Sequence, residues 1–337
     1  MTSLVTSRLG VAILSFAVAQ LLIGQGRAEP VAETSRHLVV ICGHPGDAEF
    51  QAPITDAADL WSKAATSGGT TTTTILGSDG GASLAEVEKT LIGIPVDTEA
   101  WIVLLGHGTY DGVAARFNLR GDDLSDTALA EQLENRIGTT VVINTTASSA
   151  PFLKTLSGEN RIIITATKTG NQANLARFSG FLAASFFDPT ADRDQDDQVS
   201  LLEAFLSGAS GVADYYEAEG RLATEHPLLD DNGDRQGTRF EWFTGLEPNR
   251  IPKGESKADG DRAHQFHLVP SALERQLTPD QRTRRDAFET QVIALRKSRK
   301  DIAADEYYQQ LEDLVLQLSE IYLETEMATG RRNNPDR

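Results

Sequence analysis

Residues 100–112 read AWIVLLGHGTYDG, and the fold turns on how this stretch is taken. The run Ile102-Val103-Leu104-Leu105 is apolar at every position, so as a strand it must be covered on both faces. It stops at Gly106-His107-Gly108, which leaves an imidazole at the strand's carboxyl end between two residues without side chains. Comparable runs lie at 37–42, 71–76, 140–145 and 161–167, separated by helix-like segments at 50–65, 83–91, 124–136, 150–156 and 175–187. This alternation predicts an α/β three-layer sandwich with a mainly parallel sheet. Ligands in such sheets collect at the carboxyl ends of the strands, and His107 stands at one of them.

Arg8 precedes an apolar stretch from Leu9 to Gly24, and Gly26-Arg27-Ala28 supplies the small residues of a cleavage site. Residues 1–28 therefore read as a secretory signal peptide, and the chain is expected to be exported to the periplasm, the cell envelope or the medium. No comparable apolar run follows, so no membrane span is expected after cleavage. The 337-residue chain has a formal charge of −18, and loss of Arg8 and Arg27 takes the remaining 309 residues to −20. Such a charge repels phosphate backbones, which disfavours nucleic acid as a partner, and it suits cations. Cys42 is the single cysteine, which excludes an intramolecular disulfide and cysteine-rich zinc sites.

Residues 29–250 form the expected α/β domain. The following stretch, 251–277, is rich in Gly, Pro and Lys near its start and reads as a linker. Residues 278–337 read as a helical hairpin and tail. Thr278-Pro279-Asp280-Gln281 combines a cap, a proline at the first helical position and a glutamine three residues after the cap. Phe288, Val292 and Leu295 follow, and a second helix carries Tyr307, Leu311, Leu314, Leu318 and Ile321 at spacings of four and three. That is a heptad seam, expected to fold back in an antiparallel α-helical hairpin on the main domain, with a coiled-coil contact to another chain as the alternative. The oligomeric state is left open.

The order of elements around His107 resembles the caspase and legumain peptidase superfamily, in particular its legumain-type bacterial members. The resemblance covers roughly residues 35–230. It rests on a strand ending in "GHG", then a helix, then a strand ending in the small-residue cluster "VVINTTASSAPF", with "FNLRGDDLS" (117–125) between them. In that family the histidine assists a cysteine at the end of the next core strand, followed by an acidic residue, Ser and Gly. Alignment through the strand puts Thr146 where the cysteine belongs and Ser148 where the serine belongs. The departure matters chemically. A free thiol has a pKa of about 8.5, whereas an alcohol lies near the roughly 15.7 of water and needs a strong, well-placed base. The resemblance with this change implies a pseudo-peptidase that binds a peptide or protein partner at the strand ends. Two other readings remain: a hydrolase using His107 with Cys42, Thr146 or Ser148, and a structural envelope protein assembling through the hairpin. Cys42 enters because it ends the strand expected beside His107, although a lone cysteine in an apolar strand is usually a small buried hydrophobe.

One further stretch, DRDQDDQVSLLE (192–203), has the spacing of an EF-hand calcium loop. Asp192, Asp194, Asp196, the carbonyl of Gln198, Ser200 and Glu203 fall at its six ligand positions, and Val199 supplies the apolar eighth residue. Asp197 stands where glycine is usual; Asp tolerates the positive φ needed there. One calcium ion is expected. Ser200 and Glu203 also spell a capping box, so a helix cap is the competing reading. In DDNGDRQGTRFE (230–241), Asp230, Asn232, Asp234 and Glu241 have similar spacing, but Gly237 replaces the apolar residue, and a polar turn is expected rather than a second ion. The loop GSDGGAS (77–83) lacks phosphate-loop spacing and reads as a plain strand-to-helix turn.

Overall fold

The apolar runs are strands, and they lie side by side in a seven-stranded sheet. The computed structural model describes residues 35–172, 174–252 and 257–328; the signal-peptide reading of 1–28 lies outside the described residues. In chain order the sheet takes β1 (Arg36–Cys42), β2 (Thr72–Leu76), β3 (Glu99–Leu105), β7 (Thr140–Asn144), β8 (Arg161–Thr165), β9 (Leu228–Asp230) and β10 (Thr238–Arg239). Across the sheet the order is β10-β9-β8-β7-β3-β1-β2. The five strands from β8 to β2 pair in parallel, and β9 and β10 run antiparallel to their neighbours. One edge is therefore the threonine-rich β2, and the other is the two-residue β10.

Alternating side chains of each strand feed two cores. Leu38, Val40, Val103, Ile143 and Ile164 pack with helices α1 (Gln51–Gly68), α5 (Phe178–Ser185) and α6 (Leu201–Ala218). Val39, Ile41, Ile102, Val142 and Ile163 pack with α2 (Leu84–Ile92), α3 (Asp126–Leu133) and α4 (Ala150–Leu156). The result is the expected three-layer α/β sandwich. Inside it the Trp61 indole donates to Ser179 Oγ at 3.1 Å. The buried carboxylate of Glu225 accepts from the backbone N–H groups of Arg177 and Phe178, capping α5 in place of a local side chain.

Between β3 and α3 the chain inserts a three-stranded antiparallel sheet of β4 (Gly108–Tyr110), β5 (Ala115–Phe117) and β6 (Leu124–Ser125). Strands of two or three residues are too short to carry a readable period. Their effect is to lay the residues after His107 across the strand ends.

The stretch with linker composition packs closely. Asp259, Ala263, Leu268 and Leu277 are fully buried, and Leu201 N–H donates to the Phe266 carbonyl at 2.7 Å. Helices α7 (Pro279–Lys297) and α8 (Ala304–Ala328) then form the hairpin, with Arg284 reaching Glu324 at 3.1 Å across it. Thr278 caps α7 through the full capping box. On the seam Tyr307 and Ile321 are buried, whereas Leu311, Leu314 and Leu318 are half-buried. The hairpin is anchored by Arg285, whose buried guanidinium meets Glu274 at 2.8 Å. No helix among the described residues is long and apolar enough to cross a membrane.

His267 sits in this packed segment, and burial, helped by nearby Arg285, pushes its imidazole down to about 3. The unfolded chain takes up that proton near pH 6.5, so below that pH the unfolded state binds more protons and stability falls. The expected loss is about 1.6 kcal/mol between pH 6.5 and pH 5 from this group. Urea unfolding at both pH values should show the loss shrinking by about this amount in His267→Phe. An unchanged pH dependence in the variant would contradict the assignment.

Candidate functional site

Three glycines bring the end of β3 to the end of β7. Gly106 has φ 135°, a backbone that only glycine adopts without strain, and it turns the chain so that His107 leaves the sheet. Gly43, after β1, donates its N–H to the Leu105 carbonyl at 2.8 Å, so β1 and β3 end together. Gly108 is the tightest: a Cβ there would lie 2.2 Å from the Ala147 carbonyl oxygen and 2.7 Å from Thr146 Oγ1. The turn after β7 is thus pressed against the residue following His107. The "GHG" of the sequence and the "TTASS" cluster are two halves of one site.

His107 is held from the other side. Its Nε2 lies 3.0 Å from the Pro45 carbonyl oxygen, and Phe50 meets its ring edge-on at a centroid distance of 5.0 Å. A carbonyl can only accept, so Nε2 carries the proton and Nδ1 is the basic nitrogen of the neutral ring. The imidazole is half-buried, with one tautomer fixed by a backbone oxygen.

Thr146 is fully buried. Its hydroxyl donates to Asn144 Oδ1 at 2.7 Å and approaches the Ala147 carbonyl at 3.1 Å, and its N–H also donates to Asn144 Oδ1. Among the described residues no hydrogen bond joins Thr146 to His107. Asn144 Nδ2 is buried without an acceptor among the described residues, a donor at the foot of the candidate site. Ser148 takes the left-handed φ of 55° and donates its N–H to the Gln172 carbonyl. Ser149 Oγ accepts from the backbone N–H groups of Ala166 and Thr167, tying this turn to the end of β8. The serines and threonines of the cluster therefore shape a turn.

Cys42 lies at the end of β1, paired in register with Leu105, on the same face as Leu38 and Val40 in the α1–α5–α6 core. It is fully buried, and burial, with a smaller push from Asp59, raises its thiol to about 11. Proximity of strands thus brings Cys42 beside the site's floor with its sulfur in the core.

The acidic loop folds around Asp192. Its Oδ1 accepts from the N–H groups of Gln195 and Asp196, and its Oδ2 from that of Asp197. Gln195 and Asp197 adopt φ of 62° and 66°, the latter at the position where glycine is usual. Carboxylate oxygens of Asp192, Asp194 and Asp196 lie within 4.8 Å of one another. Burial raises Asp196 to about 6, with neighbouring Asp194 adding to the push. Asp194 meets His264 at 2.9 Å, which holds its carboxyl below the usual range. Glu203 is turned inward. Its oxygens accept from Arg193 N–H, Ser200 N–H and Ser200 Oγ, completing the capping box of α6. Gln198 reaches the packed segment, where its Oε1 accepts from Ser271 N–H.

The second acidic stretch repeats this backbone. Asp230 accepts from the N–H groups of Gly233 and Arg235, the counterparts of Gln195 and Asp197, with φ of 80° and 71°. Here Asp259, not Glu241, joins Asp230 and Asp234 within 4.8 Å; Glu241 pairs outward with Arg239. Asp259 sits eighteen residues beyond Glu241, out of reach of any local spacing rule. Asp259 Oδ2 accepts from Thr238 N–H and Oγ1, and burial beside Asp231 raises it to about 9.

No family model matches this chain, and no curated protein matches it. Solved structures similar to it include a structural-genomics protein from Geobacter sulfurreducens, at 13% identity and TM-score 0.39, covering 58% of this chain and 92% of that one. The Drosophila initiator caspase Dronc shows 12% identity and TM-score 0.35 over 70% of this chain and 97% of its own. Caspase-1 from Spodoptera frugiperda shows 11% identity and TM-score 0.41 over 62% and 90%.

Proposed function

We propose that this chain is an exported, calcium-binding pseudo-peptidase of the caspase–legumain type, which holds a peptide or protein partner at the strand ends without cleaving it. The observation that carries the reading is the state of Thr146. Its hydroxyl proton rests on an amide oxygen, Asn144 Oδ1, which is no base, and the residue is sealed from solvent. Nucleophilic attack by an alcohol needs the opposite, a basic nitrogen in hydrogen-bond contact and access for the carbonyl. His107 keeps a fixed tautomer with Nδ1 unprotonated, so the cleft retains a polar, oriented group for a bound chain while lacking an activated nucleophile. Buried Cys42, with its thiol near 11, supplies no substitute.

Calcium fits the acidic loop by its donor set. Asp192, Asp194 and Asp196 offer hard oxygen ligands, with the Gln198 carbonyl next in the spacing and Ser200 and Glu203 behind them. The ion's contribution on this reading is structural: it neutralises the converging carboxylates beside the segment that leads to the hairpin.

The test is turnover of a broad peptide library by the purified protein with calcium present. No hydrolysis above buffer is expected, and none should be changed by His107→Ala. Cleavage that disappears in His107→Ala would overturn the proposal.

A further inference from the structure

Helix α8 covers α7 with one face and leaves another without a partner among the described residues. Tyr308, Val315, Leu316, Leu323 and Met327 are 57%, 50%, 61%, 52% and 72% exposed. At 100° per residue these five fall within about 120° of the helix, with Glu312 and Ser319 interspersed, and are turned away from the buried Tyr307, Ile321 and Thr325. Surface leucines scattered singly would need no account, but a stripe running the length of a 25-residue helix does. The charge on the same helix is one-sided. Among residues 304–328 there are seven acids and no Lys, Arg or His. Leu316 lies one turn from Glu312 on one side and from Glu320 on the other.

From this combination we infer that the outer face of α8 is a docking surface for a basic amphipathic helix of another protein. Apolar side chains of such a helix would cover Val315, Leu316 and Leu323, and its Lys or Arg residues would meet the flanking acids. Charge decides against the other occupants. A second copy would bring two acidic helices together, and an anionic lipid surface would repel the face.

The probe is a peptide of leucine and lysine alone, about five helical turns long, patterned to place leucine on one face. Titrated into the full chain at physiological salt, it is expected to bind and to gain helical circular dichroism. Leu316→Ser with Leu323→Ser, both at exposed positions, should weaken binding by roughly a hundredfold, the loss of two buried leucines. Glu312→Gln with Glu320→Gln should weaken it less and flatten its salt dependence. Absence of binding overturns the inference, as does affinity that the leucine pair leaves unchanged, since general attraction to an acidic protein would then suffice. It is equally overturned by sedimentation showing a dimer, or by binding to neutral-lipid vesicles, that the leucine pair abolishes.

Discussion

Thr146→Cys is expected to place a reactive thiol where the natural chain has none. The fixed His107 tautomer, the close approach of Gly108 and the Asn144 cradle are all present around position 146. What is missing is an acid weak enough in its hold on the proton for imidazole to take it. Cys42 provides an internal reference, because at about 11 its thiol is almost wholly protonated at neutral pH. Iodoacetamide at pH 7.5 should therefore leave the natural protein essentially unlabelled and modify the variant at position 146. A thiol at an ordinary pKa of about 8.5 would react up to a few hundredfold faster than Cys42, and the burial of position 146 lowers this advantage. Adding His107→Ala should slow labelling again, because the imidazolium no longer holds the thiolate. If the new thiol is as inert as Cys42, the site is silenced by burial as well as by the exchange of sulfur for oxygen, and it is no longer one substitution from a cysteine site.

The second large effect expected is on stability. Millimolar calcium should raise the melting temperature by several degrees and a chelator should reverse it. The carboxylates of Asp192, Asp194 and Asp196 converge within 4.8 Å, and like charges at such distances repel. A divalent ion removes that repulsion only in the folded chain, where the ligands are assembled. Stabilisation follows RT ln(1 + [Ca²⁺]/Kd), about 2.7 kcal/mol at a hundredfold excess over Kd. Asp194→Ala also breaks the contact with His264, so the informative quantity is the calcium-dependent change, not the absolute melting temperature. It should be nearly abolished in Asp194→Ala and reduced in Glu203→Gln. A wild-type melt indifferent to calcium, with no binding heat in calorimetry, would leave the loop as the helix cap that Ser200 and Glu203 already form.

The parts of this molecule legible in its sequence are those written in local pattern. Four of the five parallel strands are built on continuous apolar runs and β2 on β-branched threonines, and their observed ends fall within two residues of the expected ones. The caps of α6 and α7 are spelled by Ser200-Glu203 and Thr278-Gln281. The pairing of "GHG" with "TTASS" could be placed only through family resemblance, because contacts between residues so far apart leave no periodic trace. Asn144, the acceptor for Thr146, leaves no sequence signal, since an asparagine at a strand end has no signature of its own. Composition misled at 257–277. Polar residues outnumber apolar ones there, yet Ala263, Leu268 and Leu277 reach the interior while the charged groups bind backbone amides, as Asp259 binds Asp231 N–H.

The two edges of the sheet bear on how this protein behaves at high concentration. An edge strand offers unpaired backbone groups to any neighbouring chain, and long apolar edges seed aggregates. Here β10 offers two residues, and Asp259 occupies the N–H and the hydroxyl of Thr238. At the opposite edge, residues 70–74 are five threonines, with Thr72 and Thr73 exposed. Threonine keeps the β-branched shape a strand needs and replaces a methyl with a hydroxyl that water can satisfy. This edge, which no further strand among the described residues covers, is thus polar, and stacking a second copy along it would bury hydroxyls with little apolar surface in return.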